Sequence, residues 1–350
     1  MKIRVFPVAQ LSADHLAAWS RLQQSDAALA NPFFRPEFSQ AMAAVRSDVK
    51  VVVWEQAHEV VGFLPFEQSR WRVGKPVGSH INEFQGAIAR TDVAWSPQEV
   101  VRASGLRAWR FDHLATTQNA FGPYQCVVSK SPYIDISQGS EHFLNSRNHR
   151  WLTKLGQKTR KATRELGEVR FEINSTDRHA LMKLLEWNVD QCRRTHRPYT
   201  FSCNWVVRSF ERLLDHASDE FAGMLFSLYF GERLAAVELN IRSGSTMHRL
   251  VVGYDRNLRQ YAPGLRLTMH VVQAASKLGI TRIDLGKGGE EYKADIATDN
   301  DFVAEGTVHS QPLQKPFYRA WIHTKHRLRG TRVQTTMWRL RRWMGETGSV

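Results

Sequence analysis

Three apolar runs and a corner occupy residues 222–279, and their order limits the fold. "AGMLFSLYFGERLAAVELNIRSGSTMHRLVVGYD" reads as an antiparallel meander, with turns at Gly231-Glu232 and at Ser243 to Ser245. The third run passes through Tyr261, Ala262, Pro263 and Gly264 into a segment where Leu265, Met269, Val272 and Ser276 recur at helical spacing. The chain therefore reads strand, turn, helix. The first amides of such a helix have no partner within it, and its dipole adds positive charge at the same end. A phosphate or another anion suits that position; a plain helix-starting turn is the alternative.

The same order of elements occurs earlier. "KIRVFPV" reads as a strand, "SADHLAAWSRLQQS" as a helix capped by Ser12, and "PEFSQAMAAV" as a helix from Pro36. "DVKVVVWEQAHEVVGFLPFEQSRW" is a hairpin turning at Gln56 to Glu59, followed by a helix at Pro97 to Ser104 capped by Ser96 and the strands "AWRFDHL" and "YQCVVSK". In the second half "EVRFEIN" is a strand, "DRHALMKLLEWNVDQCRRT" and "NWVVRSFERLLDHA" are helices, and "TRIDLG" is a strand after the meander and its helix. No identity between the halves is visible; only the order repeats. A chain of 350 residues with 42% hydrophobic and 23% charged residues accommodates two globular domains. These observations predict an α/β (α+β) protein built from a duplicated unit: residues 1–140, a basic connecting helix over 141–167, residues 168–312, and a basic amphipathic tail over 313–350.

The formal charge of +14 points to an anionic partner. Arg147, Arg150, Lys154, Lys158, Arg160, Lys161 and Arg164 precede the first acidic residue of their segment, Glu165. Trp151, Leu155, Lys158 and Ala162 share one helical face there, so the segment is either a solvated helix or a site for phosphates. Residues 315–342 contain no Asp or Glu, and Val333, Met337, Leu340 and Met344 form an apolar stripe flanked by arginines. Such a helix docks on its own protein core or on an anionic membrane surface, giving residues 320–350 an expected peripheral contact with the membrane's inner face. No apolar run is long enough for a transmembrane segment and no secretory signal is visible, so a cytoplasmic location is expected. Cys126, Cys192 and Cys203 lack disulfide or zinc spacing, and no metal is expected. The minimal motifs of P-loop, α/β-hydrolase and zincin sites are missing.

The order strand, two helices, meander, phosphate-facing helix, strand resembles that of the GNAT acyltransferases, whose signature Q/R-x-x-G-x-G/A is matched in spacing by Arg259, Ala262 and Gly264. The tandem arrangement, "RKATRELGEVRFE", "GYDRNLRQYAPGLRL" and "IDLGKGGEEYKADI" look more specifically like the CelD/BcsL acetyltransferases, relatives of the FemAB aminoacyltransferases. The resemblance covers most of the chain and is strongest over residues 168–300. It implies two tandem GNAT-like domains, the first degenerate, and acyl transfer from acetyl-CoA or another acyl-CoA to a saccharide or lipid-linked acceptor. The FemAB relation implies aminoacyl-tRNA as the alternative donor, with the basic 147–164 segment as the tRNA contact. A non-catalytic module binding nucleic acid or membrane is a further alternative.

Expected donor contacts are Arg259, Pro263, Gly264, Leu265 and Arg266. Ala262 departs from the signature by lacking the freedom of glycine, and Pro263 has no N–H to donate. Gly264, Leu265 and Arg266 still offer amides, while Arg259 and Arg266 offer charge-assisted bonds. Acyl transfer also needs a proton acceptor and donors to the carbonyl and the leaving sulfur. Asp284 and Lys293 are the first candidates, because Asp284 ends an apolar strand before a Gly-rich loop; Glu291 and Tyr292 follow in that loop. An Asp284 that only pairs with Lys293 or Lys287 is the structural alternative. Tyr254 and Asp255 close the strand before the turn, Tyr254 as a candidate acid and Asp255 as a carboxylate to orient the acceptor; the alternative is that they are turn formers, with Asp255 bonding nearby amides. Glu238 is a candidate base, although strand alternation is expected to turn it outward.

Overall fold

The computed structural model describes residues 1–195, 203–288 and 291–311. Its contacts form two units: Met1–Lys130 with Cys203–Arg212 and the described residues from Phe302, and Ser131–Ser202 with Leu213–Asp301.

The first unit contains β1 (Lys2–Pro7), α1 (Ala13–Gln24), α2 (Pro36–Ala43), β2 (Val49–Gln56), β3 (Glu59–Gln68), β4 (Val73–Lys75), β5 (Ile88–Ala89), α3 (Pro97–Ala103) and β6 (Ala108–Ala115). Ser12 accepts from the His15 amide at the start of α1, and Pro36 occupies the first turn of α2. Ala57 and His58 make the β2–β3 turn with φ of 50° and 67°, the left-handed pair that a tight hairpin demands. The strands β1, β2, β3 and β4 are antiparallel neighbours, β4 runs parallel to β6, and β6 is flanked by the antiparallel β13 (Asp299–His309). Trp54, Phe66, Trp109 and Phe121 fill the core.

The second unit repeats this plan. It contains the end of β7 (Gln125–Asp135), α4 (Ser140–Asn145), α5 (His149–Leu166), β8 (Val169–Glu172), α6 (Arg178–Thr195), β9 (Ala222–Phe230), β10 (Arg233–Ser243), β11 (Thr246–Tyr254), α8 (Pro263–Lys277), β12 (Arg282–Asp284) and α9 (Glu291–Ile296), whereas α7 (Asn204–Leu214) belongs to the first unit as far as Arg212. Strands β8 to β11 are antiparallel neighbours, β11 is parallel to β12, and residues 133–135 of β7 pair antiparallel with β12. Each unit is thus a mixed sheet flanked by helices, with one parallel pair. The expected duplication is present at the level of topology.

One difference separates the copies. In the first, α3 is short, begins well after β4, and is capped by Ser96, which accepts from the Glu99 amide. In the second, α8 has 15 residues, follows β11 closely, carries no acidic residue in its first turn and has no side-chain cap. The helix that follows the meander in the second copy thus starts without a side-chain cap, unlike α3. Helix α5 packs in this unit: Leu155 and Ala162 are buried, Trp151 is half-buried, and Lys158 is exposed at the edge of the expected face. The tail at 313–350, with its expected membrane contact at 320–350, lies outside the described residues.

Candidate active site

The site grows from the ends of β11 and β12. These strands run parallel for three residue pairs, from Thr246 with Arg282 to His248 with Asp284. β11 then continues to Tyr254, paired only with β10. The chain after β12 follows β7 instead, since the Leu285 amide donates to the Pro132 carbonyl at 3.0 Å, and it then bends at Gly286, whose φ is 71°. A wedge opens along the second half of β11.

At the head of the wedge lies the turn into α8. Asp255 accepts from the Asn257 amide at 2.9 Å and starts a 3-10 turn over Arg256–Tyr261, the geometry of the turn-forming alternative. Leu258 and Tyr261 are buried, and the Tyr261 hydroxyl donates to Glu165 of α5 at 2.7 Å, which anchors the turn. Ala262 takes the left-handed conformation, φ 53° and ψ 51°, at the position where the family signature has glycine. Pro263 then occupies the first turn of α8 and is buried, Leu265 and Arg266 are half-buried, and Arg259 is exposed. Burial holds the Arg266 guanidinium below its ordinary pKa. A side chain at Gly264 would stand 3.3 Å from the Tyr254 ring, so the ring lies directly beside the helix start. Tyr254 is 40% exposed and flanks this end without covering it by a hydrogen bond from its own side chain.

A chain of polar contacts ties this helix start to the centre of the sheet. Glu238 is fully buried, at 0% exposure, which corrects the expectation that it points to solvent. Its register partners Phe226 and Val252 pack into the cluster beneath α8, so Glu238 faces α8 as well. There it forms an ion pair at 3.0 Å with Arg249, itself 4% exposed. Arg249 donates to the Thr268 hydroxyl at 3.0 Å, and Thr268 donates to the Gly264 carbonyl at 3.1 Å. The Tyr292 side chain also hydrogen-bonds Arg249. Burial alone would lower the pKa of Arg249, but the Glu238 carboxylate and Tyr292 outweigh it and raise the value.

Asp284 stands on the opposite face. Met247 and Ile283 pack under α8, so by alternation their neighbours His248 and Asp284 point the other way. Asp284 is 2% exposed, and its Oδ1 accepts from both Nε and Nη2 of Arg282, at 2.8 and 2.7 Å; Arg282 also bonds Asp301. The pairing arginine is a strand neighbour two residues away. His248 Nδ1 lies 4.0 Å from Asp284. Lys293, on α9, is 8% exposed and donates to the Gly286 carbonyl at 3.2 Å, which ties α9 to the residue where the chain bends after β12. Glu291 begins α9, and its side chain lies outside the described structure.

The fold therefore brings Gly264, Tyr254, Glu238 and Tyr292 to one end of one sheet face and puts Asp284 on the other. Arg249 and Thr268 are the connecting residues that sequence reasoning missed. Their signal was opposite charges, Glu238 and Arg249, each set among apolar residues in adjacent strands of a meander. Asn240, also at 0% exposure, follows Glu238 by two residues, and its amide finds no protein partner among the described residues. His270, one turn beyond Arg266 on α8, stacks on Phe171 with centroids 5.0 Å apart; burial first, and Arg266 second, lower its pKa to about 4.

Among the described residues no group of His, Cys, Asp and Glu is arranged to hold a metal ion, and no helix is long and apolar enough to cross a membrane. Residues 148–294 match the family model described as acetyltransferase (GNAT) domain. Among solved structures, FemX aligns with a TM-score of 0.58 at 11% identity, covering 90% of this chain and 99% of that one. The C-terminal domain of a protein assigned as a lysylphosphatidylglycerol synthetase from Agrobacterium fabrum aligns at 0.52, with 12% identity over 91% and 98% of the two chains. The tandem GNAT protein from the clavulanic acid biosynthesis pathway aligns at 0.51, with 9% identity over 89% and 99%. No curated protein matches. At these identities the structural likenesses establish the fold, while the match over 148–294 bears on the domain that holds the wedge and the open helix start. The chain thus has a tandem GNAT-like fold, and the part of it that matches the acetyltransferase (GNAT) domain model, residues 148–294, lies in the second copy.

Proposed function

We propose that the protein transfers an acyl group, acetyl in the simplest case, from acyl-CoA to an amine or hydroxyl of a saccharide or polysaccharide precursor. The observation that carries this reading is the uncapped start of α8 beside the wedge between β11 and β12. The Gly264 and Leu265 amides offer donors to a diphosphate there, Arg259 and Arg266 offer charge, and Pro263 offers only a fixed φ. The pantetheine arm then follows β11 into the wedge. Tyr292 on α9 is our candidate acid for the leaving sulfur, with Lys293 and Glu291 on the same helix as contacts to the reacting groups. Glu238 and Arg249 act as positioning residues, since they hold Tyr292 and, through Thr268, the first turn of α8. Asp284, locked to Arg282, fixes the strand end from which the loop departs. Tyr254 borders the helix start and faces the incoming acceptor. The saccharide class rests on the resemblance to CelD/BcsL acetyltransferases.

A second reading, transfer from aminoacyl-tRNA, is favoured by the exposed cations of α5, among them Arg150, Lys154, Lys158, Lys161 and Arg164, and by the likeness to FemX. Calorimetry with acetyl-CoA, CoA and an aminoacyl-tRNA side by side separates the two. Micromolar binding of acetyl-CoA and CoA, with weak and steeply salt-dependent binding of the RNA, is the expected result. Tight RNA binding without CoA binding would select the second reading.

A further inference from the structure

A separate recess lies on the α6 side of the same unit. A cleft of about 510 Å³ is lined by Trp187, Gln191, Arg193 and Arg194 of the last turns of α6, by Tyr254 at the end of β11 and by Arg256 at the start of the 3-10 turn that follows. Trp187, Gln191 and Arg194 fall at i, i+4 and i+7, so one stripe of the helix forms one wall. The volume is in the range of small-molecule sites, which run from roughly 300 to 1,000 Å³.

Its chemistry is cationic and aromatic. Asp190, the single acidic residue in the lining, pairs with Arg193 at 3.5 Å, which balances one of the three arginines. Arg194 and Arg256 have no acidic partner among the described residues. A basic residue near the end of α6 also complements the helix dipole, which accounts for Arg194 taken alone. It does not account for Arg256, which arrives from a different element and faces the same space. Two guanidinium groups that line one cleft, neither of them paired to its carboxylate Asp190, suit a phosphate, which arginine binds through a planar fork. Trp187 and Tyr254 supply flat apolar faces beside them, of the kind that packs against the C–H face of a sugar ring. Tyr254 is shared: one side lies against Gly264 and the other lines the cleft.

We infer that this cleft binds a phosphate-bearing sugar, either a glycosyl phosphate or a nucleotide-linked sugar. Arg194 and Arg256 hold the phosphate, and Trp187 and Tyr254 receive the ring. That this ligand is the acyl acceptor rests on the function proposed above; that the cleft binds it does not. The shared Tyr254 places the sugar next to the helix start assigned to the acyl donor.

The test is calorimetry on the full chain with N-acetylglucosamine 1-phosphate, UDP-N-acetylglucosamine, free N-acetylglucosamine and a short single-stranded RNA. Acetyl-CoA is titrated in parallel. At least one phosphorylated sugar should bind, with free N-acetylglucosamine at least about tenfold weaker because it lacks the charge-assisted contacts. The variant Arg194→Gln/Arg256→Gln should lose about tenfold or more in affinity for the phosphorylated sugar, and Trp187→Leu should also weaken it, while acetyl-CoA affinity stays unchanged in both. These side chains are at the surface, so the variants are expected to fold. The inference is overturned if neither phosphorylated sugar binds, if the free sugar binds equally well, or if the arginine variant binds like the wild type. Tighter binding of RNA through the same two arginines would also overturn it. Failure of acetyl-CoA to bind the wild type would remove the donor reading while leaving the cleft result to stand or fall separately.

Discussion

The pair Glu238–Arg249 offers the sharpest link between stability and the site. The two residues are 0% and 4% exposed and 3.0 Å apart, so neither charge has water to fall back on. Removing one member of such a pair leaves an uncompensated buried charge, which costs about 3–5 kcal/mol. Glu238→Gln preserves volume and should destabilise by an amount in that range. Replacing both by apolar residues of similar size, Glu238→Leu/Arg249→Met, removes the desolvation penalty together with the attraction, and should return stability to within about 2 kcal/mol of the wild type. The double variant nonetheless loses the contact from Arg249 to Thr268, and Thr268 is what holds the Gly264 carbonyl. With one anchoring hydrogen bond gone, about 1 kcal/mol is lost from the geometry of the helix start, or about fivefold in acetyl-CoA affinity. Urea unfolding followed by circular dichroism measures the first effect, and calorimetry on the folded double variant measures the second. A double variant that binds acetyl-CoA as tightly as the wild type would refute the proposed link, and a Glu238→Gln cost below about 1 kcal/mol would refute the buried pair.

Other consequences are open to measurement. His270 has a folded pKa of about 4 against an ordinary 6.5, so the unfolded chain takes up its proton first as pH falls. The resulting stability is complete above pH 6.5, declines between 6.5 and 4, and is level below that, for a total of at most about 3 kcal/mol, reduced by the partial exposure of the ring. His270→Phe, which keeps the stack on Phe171, should flatten the stability profile in that window, and an unchanged slope in urea titrations would count against the assignment. Ala262→Gly relieves a left-handed alanine and should stabilise by about 1 kcal/mol or less while retaining CoA binding; a destabilised variant would contradict the φ of 53°. Lys293→Ala should reduce turnover more than donor affinity once an acceptor is in hand, and wild-type turnover would remove Lys293 from the loop contacts. Gly223→Ala would place a methyl 2.4 Å from the Leu213 carbonyl and should cost about 1–3 kcal/mol in melting experiments.

Most of the architecture was readable in the chain, because strands and helices of the two copies carry strong local signals. The Ser12 and Ser96 caps, the Pro36 and Pro263 helix starts and the tight turns punctuate them. What escaped reading was short or atypical. β4 and β5 have three and two residues, too few to show a period. β13, "DNDFVAEGTVH", mixes Glu305, Gly306 and Thr307 among Val303, Ala304 and Val308, although all six are buried; its strand character comes from pairing with β6, a partner far away in the chain.

The site was legible in part for a similar reason. Gly264 and its neighbours could be placed because a helix start is a local feature. Glu238 was misjudged, since alternation gives two faces but does not say that both are covered: α8 packs on one side of β10 and α6 on the other. Asp284 and Tyr292 are eight residues apart in sequence, yet Asp284 points to the other face of the sheet. Only the register of β11 with β12 reveals that. In the sequence Arg249 is one more cation in a basic chain; its value depends on burial, which charge counting does not see.

The claim on which the rest depends is that the start of α8 grips the diphosphate of an acyl donor. Calorimetric titration of CoA into the wild type and into Gly264→Asp tests it directly. Aspartate in the first turn suits the helix dipole, and the Tyr254 ring 3.3 Å from the new Cβ needs to yield only slightly, so the variant should fold. Its carboxylate would stand where the diphosphate is held. Binding to the wild type and none to the variant is the predicted result; equal affinity in the two proteins would contradict the account.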